Sequence, residues 1–148
     1  MFFSKNRKTG KKGYFLGLEY YDRQRYVEAE QVFQQSVQQR EKVLGAEHVD
    51  TLRSKFWLAV TLHEQQKYRE AEQLLRLSVQ QREKVLGAEH VDTLYSKFRL
   101  ATTLHEQQKY SEAEQLLRQS VQQREKVLGA EHVDTLSSKY WLAVTLYE

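Results

Sequence analysis

A period of 42 residues runs through most of this chain and limits its fold more than any other feature. The string HVDTL that starts at His48 returns at His90 and again at His132. Segments 48–89 and 90–131 differ at only five positions. Repeats of this size are supersecondary units that bury their apolar faces against neighbouring copies, so the sequence predicts an array of stacked units.

Each copy contains two apolar stripes with helical spacing. In the first stripe, Leu52 and Phe56 follow Asp50, a residue type suited to cap the N-terminus of a helix. The polar stretch 65–67 predicts a tight turn before the second stripe, and Gly87 stands where a left-handed helix C-cap is expected. No segment alternates with a period of two, so no strand is predicted.

The predicted fold is all-α, a right-handed α-solenoid of stacked antiparallel helix pairs with about seven helices of roughly 12–18 residues. The array is assigned to residues 12–148, with copies at about 12–47, 48–89 and 90–131 and a partial copy at 132–148. Residues 1–11 are assigned to a basic, flexible N-terminal arm.

Charge and composition narrow the range of partners. Residues 1–12 carry five basic residues and no acidic one, whereas the remaining 136 residues hold 18 basic and 20 acidic residues. A nucleic-acid-binding surface would need positive charge across the folded body, so no nucleic-acid partner is predicted. No stretch reaches the roughly 20 apolar residues of a membrane-spanning helix, and no membrane partner is predicted. The absence of cysteine excludes thiolate chemistry and fits a reducing, cytoplasmic location.

The polar residues do not form a recognisable catalytic pattern. His48, His90 and His132 recur once per copy, at a spacing of roughly 10 Å that is too wide for one metal ion, so we expect them to bond loop backbone. A catalytic triad needs one converging geometry rather than the same residues in every copy. We therefore expect neither an enzyme nor a cofactor nor a metal site. The run Gln80–Lys84 is interpreted as a solvated helix face with local ion pairs.

The differences between the two near-identical copies concentrate on one face. Three of the five are spaced i, i+4 and i+7, which places them on one stripe of the first helix. They are the pairs Arg53/Tyr95, Trp57/Arg99 and Val60/Thr102. Radical exchanges on one stripe, with the rest of the copy nearly unchanged, are typical of diversified recognition surfaces.

Small and aromatic residues at fixed offsets resemble the tetratricopeptide repeat. The first copy carries Leu16-Gly17-x-x-Tyr20, then Tyr26, then Ala29-x-x-x-Phe33. The 42-residue length, with Leu-Gly-x-x-His before the next helix, is similar to the kinesin-light-chain subtype. That subtype also occurs in sensor regions of fungal NOD-like receptor proteins. The resemblance implies stacked helix pairs and a protein-binding role without catalysis.

In the resembled family, the stripe on each first helix lines a concave ligand groove. Carried over by matching positions, the groove residues are Tyr14, Leu18, Tyr21, Arg53, Phe56, Trp57, Val60, His63, Tyr95, Phe98, Arg99, Thr102, His105, Tyr140, Trp141 and Val144. The set is rich in the Trp, Tyr and Arg residues that dominate binding hot spots. Phe56 and Phe98 have an alternative assignment to the core between copies.

These observations predict a protein- or peptide-binding module that is the sensor or scaffold part of a larger protein. Two alternatives stay open: self-assembly through the ends of the array and, against the near-neutral charge of the body, an RNA-binding solenoid. We expect Leu142, Leu146 and the outer face of Val121, Val127 and Leu128 to be uncovered. This predicts either a longer array or self-association through the C-terminal end.

Overall fold

Seven α-helices make up the computed structural model, which describes the backbone from Phe2 to Glu148 and the side chains from Gly10 onward. They are α1 (Phe2–Asp22), α2 (Tyr26–Leu44), α3 (Val49–Glu64), α4 (Tyr68–Leu86), α5 (Val91–Glu106), α6 (Tyr110–Leu128) and α7 (Val133–Leu146). Residues 2–148 contain no strand, and none of the described helices is both long and apolar enough to cross a membrane. The predicted all-α repeat fold is confirmed, although α1, with 21 residues, and α2, α4 and α6, with 19 residues each, are longer than expected.

Histidine caps the first helix of each later copy. His48 Nδ1 accepts the backbone N–H of Asp50 at 3.1 Å, and His90 and His132 make the same bond at 3.0 Å. The prediction that Asp50 is the cap is wrong, because the helix already begins at Val49. The Asp50 carboxylate, in the first turn, still interacts favourably with the positive end of the helix dipole. The predicted backbone role of the three histidines is confirmed.

Each second helix is followed by a glycine with a positive φ angle. The φ angles of Gly45, Gly87 and Gly129 are 99°, 102° and 101°, which explains why each second helix ends at a glycine. The ψ angle of 158° at Gly45 makes this cap extended rather than the predicted left-handed helical cap. The turn at 65–67 is confirmed, and Gln66 adopts a φ of 64° within it.

Two compact units divide the chain, residues 1–74 and 75–148, and α4 contains the boundary. In the first unit, α1 contacts α2, and both contact α3. Helices α1 and α2 come close together at Gly17, where an added Cβ would overlap the ring of Phe33. Because Phe33 is fully buried, its ring occupies the space that the missing side chain leaves.

In the second unit, α5, α6 and α7 all contact one another. Phe98, Ala101 and Leu117 form a buried cluster, and Trp141 and Leu142 of α7 pack against it. The expectation that Leu142 is uncovered is therefore wrong, because its side chain faces the preceding helix pair rather than outward.

The N-terminal helix extends into the segment assigned to an arm. Helix α1 begins at Phe2, whereas the sequence placed residues 1–11 in a flexible arm. At the end of that segment, the carbonyl of Gly10 accepts a hydrogen bond from Ser36 Oγ at 2.8 Å. The basic side chains before Gly10 lie outside the side chains that the structure describes. A separate role for residues 1–9 stays a prediction.

Candidate functional site

Five of the predicted groove residues are buried. Phe56, Val60, Phe98, Thr102 and His105 have exposed fractions of 2%, 1%, 7%, 2% and 9%. Phe98 belongs to the core cluster of the second unit, in agreement with its alternative assignment. Buried side chains offer a ligand no surface, so the accessible part of the predicted groove is smaller than the sequence stripe.

The exchange between Val60 and Thr102 therefore concerns the core. Thr102 Oγ1 donates to the carbonyl of Arg99 at 3.0 Å, within its own helix. We expect Val60→Thr to destabilise the protein by about 1 kcal/mol. The new hydroxyl loses its hydrogen bonds to water on folding, and it gains only a helix carbonyl that already accepts a backbone hydrogen bond. Thr102→Val should be neutral or stabilising for the same reason. Thermal unfolding of the two variants checks the difference in sign, and equal shifts would contradict it.

The other predicted groove residues keep accessible surface. Those that are half-buried are Tyr14, Leu18, Tyr21, Trp57, His63, Arg99, Trp141 and Val144, and those that are exposed are Arg53, Tyr95 and Tyr140. Two of the three variable pairs, Arg53/Tyr95 and Trp57/Arg99, thus lie at accessible positions. Of the five differences between the two copies, only Val60/Thr102 lies at a buried position.

An aromatic cluster joins α1 to α3 in the first unit. The ring centroids of Tyr21 and Trp57 are 5.2 Å apart in an edge-on arrangement, and Tyr26 lies 5.4 Å from Tyr21. The hydroxyl of Tyr21 donates to Glu64 Oε1 at 3.3 Å. Burial and the Glu64 carboxylate raise the pKa of Tyr26 above its usual value. Trp57 packs into this cluster with part of its surface still accessible.

A cleft of about 330 Å³ opens in the first unit between α1, the end of α2 and the start of α3. It is lined by Lys11, Tyr14, Phe15, Arg40, Asp50 and Arg53. The Arg40 guanidinium lies over the Tyr14 ring at 4.7 Å, and Arg53 pairs with Asp50 at 3.4 Å. Cations outnumber the single carboxylate, so the cleft suits an acidic or aromatic side chain.

The second unit repeats the aromatic arrangement with a histidine in place of the tyrosine. The His105 ring of α5 lies 5.2 Å from Trp141 of α7 and 5.2 Å from Tyr110. His105 Nδ1 shares a hydrogen bond of 2.9 Å with Thr145 Oγ1. Trp57 and Trp141 therefore each lie against a ring from the first helix of the preceding copy.

A buried polar network, which lies outside the predicted site residues, links α6 to α7. Arg124 Nη1 donates to the carbonyl of Asp134 at 2.8 Å and to Ser138 Oγ at 3.0 Å. The hydroxyls of Ser120 and Ser138 lie 2.7 Å apart. Burial lowers the pKa of Arg124, and the Asp134 carboxylate opposes this shift. The guanidinium stays charged, because its usual pKa is far above neutrality.

The same network occurs in the other complete copies. Arg40 and Arg82 make the equivalent two bonds, at 2.7 and 3.2 Å and at 3.0 and 2.9 Å. The interpretation of the run Gln80–Lys84 as a solvated face is wrong for Arg82, which is only 4% exposed. The signal was present in the sequence: an arginine and two serines occupy buried-face positions without change in every copy.

Helix α7 exposes a stripe whose equivalents are buried earlier in the chain. Leu136, Tyr140 and Leu146 are 50%, 65% and 50% exposed, whereas the matching Leu94, Phe98 and Leu104 are 2%, 7% and 0% exposed. Exposure of Leu146 and of Val127, at 39%, is as predicted. Val121 and Leu128 are partly buried.

The accessible surface offers groups that can recognise a ligand. Its residues carry aromatic rings, the imidazole of His63, guanidinium groups and apolar side chains. Among the side chains described from Gly10 onward, no group of three or more His, Asp or Glu could hold a metal ion. The surface can stack on, ion-pair with and hydrogen-bond to a ligand.

Comparison with known proteins points to one kind of repeat. The sequence profile of the tetratricopeptide repeat matches residues 14–84 and 54–126. No curated protein sequence matches the chain. A solved structure from Podosopora anserina, assigned to the kinesin light chains and built of nearly identical TPR-like repeats, matches with a TM-score of 0.82. It is 30% identical, over 91% of this chain and 64% of that one. BtubC (BKLC) from P. vanneervenii matches with a TM-score of 0.65 and 14% identity, over 98% of this chain. The chain spans 64% of the length of both.

Proposed function

Because this chain belongs to the tetratricopeptide-repeat family, whose repeats generally mediate protein–protein interaction or scaffolding, we propose that it is a non-catalytic peptide-binding module. In the first unit the peptide lies on the accessible face of α1 and α3, and in the second unit a peptide lies on that of α5 and α7. In this proposal the chain is the sensor or scaffold part of a larger protein.

The observation that carries the proposal is the placement of the differences between near-identical copies. Arg53/Tyr95 and Trp57/Arg99 exchange charge for aromatic surface at accessible positions one helical turn apart. Two further differences, Arg69/Ser111 and Leu77/Gln119, lie at exposed positions of the second helices, but only the pairs on the first helices exchange charge for aromatic surface. Neighbouring copies with different side chains on one backbone read different side chains of a ligand.

The two copies are expected to prefer different ligand side chains. Trp57 in the second copy favours an apolar or aromatic group, whereas Arg99 in the third copy favours a carboxylate. In the first unit, the cleft lined by Tyr14 and Arg53 has space for one side chain of the same peptide. The first unit is therefore expected to prefer an extended or helical peptide that combines apolar and acidic residues, and the second unit one that carries an acidic residue.

We expect Trp57→Ala to weaken peptide binding by about 2 kcal/mol. A half-buried indole supplies a large contact area, and its few rotatable bonds lose little conformational entropy on binding. The probe is a peptide selected on the wild-type chain from a displayed random library, with its affinity measured by fluorescence anisotropy. Lys84→Ala, on the second helix and outside this face, is the control and should change affinity by less than about 0.5 kcal/mol. Equal losses in the two variants, with unchanged circular dichroism, would place recognition elsewhere.

A further inference from the structure

The cleft of the first unit carries more positive charge than its buried network needs, and we propose that it binds a phosphotyrosine side chain. The inference rests on the proposed function, because the phosphotyrosine belongs to the peptide that lies on α1 and α3. The walls of the cleft come from α1, the end of α2 and the start of α3, at a junction between two copies that are both described.

Three cations and one carboxylate line the cleft. Lys11 and Arg53 are exposed, whereas Arg40 is buried. The carboxylate of Asp50 pairs with Arg53 at 3.4 Å, which leaves an excess of two positive charges. A phosphate monoester carries a charge of roughly −1.5 to −2 near pH 7, so it matches this excess. A single carboxylate would neutralise only half of it.

Arg40 gives the cleft a positive charge that is shielded from water. Among the side chains described from Gly10 onward, both of its hydrogen bonds start at Nη1, to the carbonyl of Asp50 and to Ser54 Oγ. Burial lowers the pKa of Arg40, Asp50 opposes the shift and Arg53 adds to it. The guanidinium still stays charged, because its usual pKa is far above neutrality. A phosphate in the cleft would offset both the lost hydration and the repulsion between the two guanidinium groups.

The second unit shows that the buried network forms without the additional cations. Arg124 makes the same two bonds as its counterpart in the first unit. Tyr95 stands there at the position of Lys11, and its ring lies 6.0 Å from the Arg124 guanidinium. Ser137 stands at the position of Arg53. The junction between copies therefore does not require the charge of Lys11 and Arg53, which points to a ligand as its reason.

Aromatic side chains of α1 favour phosphotyrosine over phosphoserine. Tyr14 and Phe15 line the cleft with their ring centroids 5.3 Å apart, and Phe15 is 55% exposed. The Lys11 ammonium lies 6.0 Å from the Phe15 ring, so a phenol ring packed against Phe15 can bring its phosphate to a cation. The cleft volume of about 330 Å³ corresponds to about eleven water molecules, which is room for a ring and a phosphate together.

The test uses the full chain and N-acetyl amino acid amides as probes, followed by NMR titration of the backbone N–H signals. The probes are the derivatives of phosphotyrosine, phosphoserine and glutamate, together with inorganic phosphate. We expect the phosphotyrosine derivative to shift the signals of Lys11 and Arg53 in a saturable manner and to leave those around Arg124 unchanged. It should bind at least about 5-fold more tightly than each of the other three probes, since only it supplies both the ring and the dianion.

Matched variants of the full chain locate the site. Lys11→Gln and Arg53→Gln should each weaken binding of the phosphotyrosine derivative about 5-fold, because each removes one cation from the phosphate. Lys12→Gln removes the same charge from the next residue of α1, which does not line this cleft. It should change the affinity by less than about 2-fold, because water and salt screen exposed charges outside the site.

Three results would overturn the proposal. The first is the absence of saturable shifts, and the second is binding that both Lys11→Gln and Arg53→Gln leave intact. The third is equally tight binding of the phosphoserine derivative, the glutamate derivative or inorganic phosphate, since the cleft would then accept any anion. The library peptide used with Trp57→Ala carries no phosphate, so its binding tests the proposed function whatever the outcome here.

Discussion

Replacing Arg124 by alanine is expected to destabilise the protein by about 3 kcal/mol. The side chain is 2% exposed and donates from α6 to Asp134 and Ser138 of α7. It also covers the ring of Phe98 on α5. Its loss removes a charged donor from buried acceptors and opens a cavity where three helices meet.

Arg118 provides the matched control on the same helix. Its side chain is 58% exposed and pairs with Glu114 at 3.6 Å, one turn away. Arg118→Ala should therefore change stability by less than about 0.5 kcal/mol. Urea unfolding followed by circular dichroism separates the two variants. A similar loss in both would mean that the buried network contributes little beyond helix propensity.

Gly17→Ala is expected to destabilise the protein by about 3 kcal/mol, because the added methyl group would overlap the fully buried ring of Phe33. In an exposed helix interior the same substitution would stabilise by about 1 kcal/mol, so the sign itself tests the contact. Thermal or urea unfolding gives the measurement.

The later copies supply a compensating change for the same position. Where the first copy has Gly17 and Phe33, the third copy has Ala101 and Leu117 packed together. Combining Gly17→Ala with Phe33→Leu should therefore restore stability to within about 1 kcal/mol of the wild type, giving a strong favourable coupling in a double-mutant cycle. Additive losses would show that the two sites do not share one space.

The helix pairs were predictable because a near-exact repeat displays its apolar spacing several times over, with glycine at each end. The helix cap was not predictable, because aspartate is a commoner capping residue than histidine. Only the structure shows that the backbone N–H of Asp50 donates to His48 Nδ1. The groove prediction was too wide for a related reason. Spacing assigns Phe56 and Val60 to a stripe, but how far the second helix covers that stripe depends on packing.

The buried arginines show a different limit of sequence interpretation. Arg82 stands in a run of glutamine, glutamate and lysine, and such composition is usually solvated. Its burial depends on the carbonyl of Asp92 and the hydroxyl of Ser96, which lie ten and fourteen residues away. Composition alone does not show that these acceptors converge on one guanidinium.

The arginine network has a consequence for how such a gene can change. Its acceptors are a main-chain carbonyl, which every residue type supplies, and a serine that follows at the same offset in each copy. The last part of each second helix thus carries the same arginine donor, and the first part of the following helix carries the same carbonyl and serine acceptors. Because the donor and the acceptors are the same in every copy, duplication or deletion of a whole 42-residue segment preserves these hydrogen bonds. The same event changes the order of the copies that carry Arg53, Tyr95 or Ser137 at the variable position of the first helix.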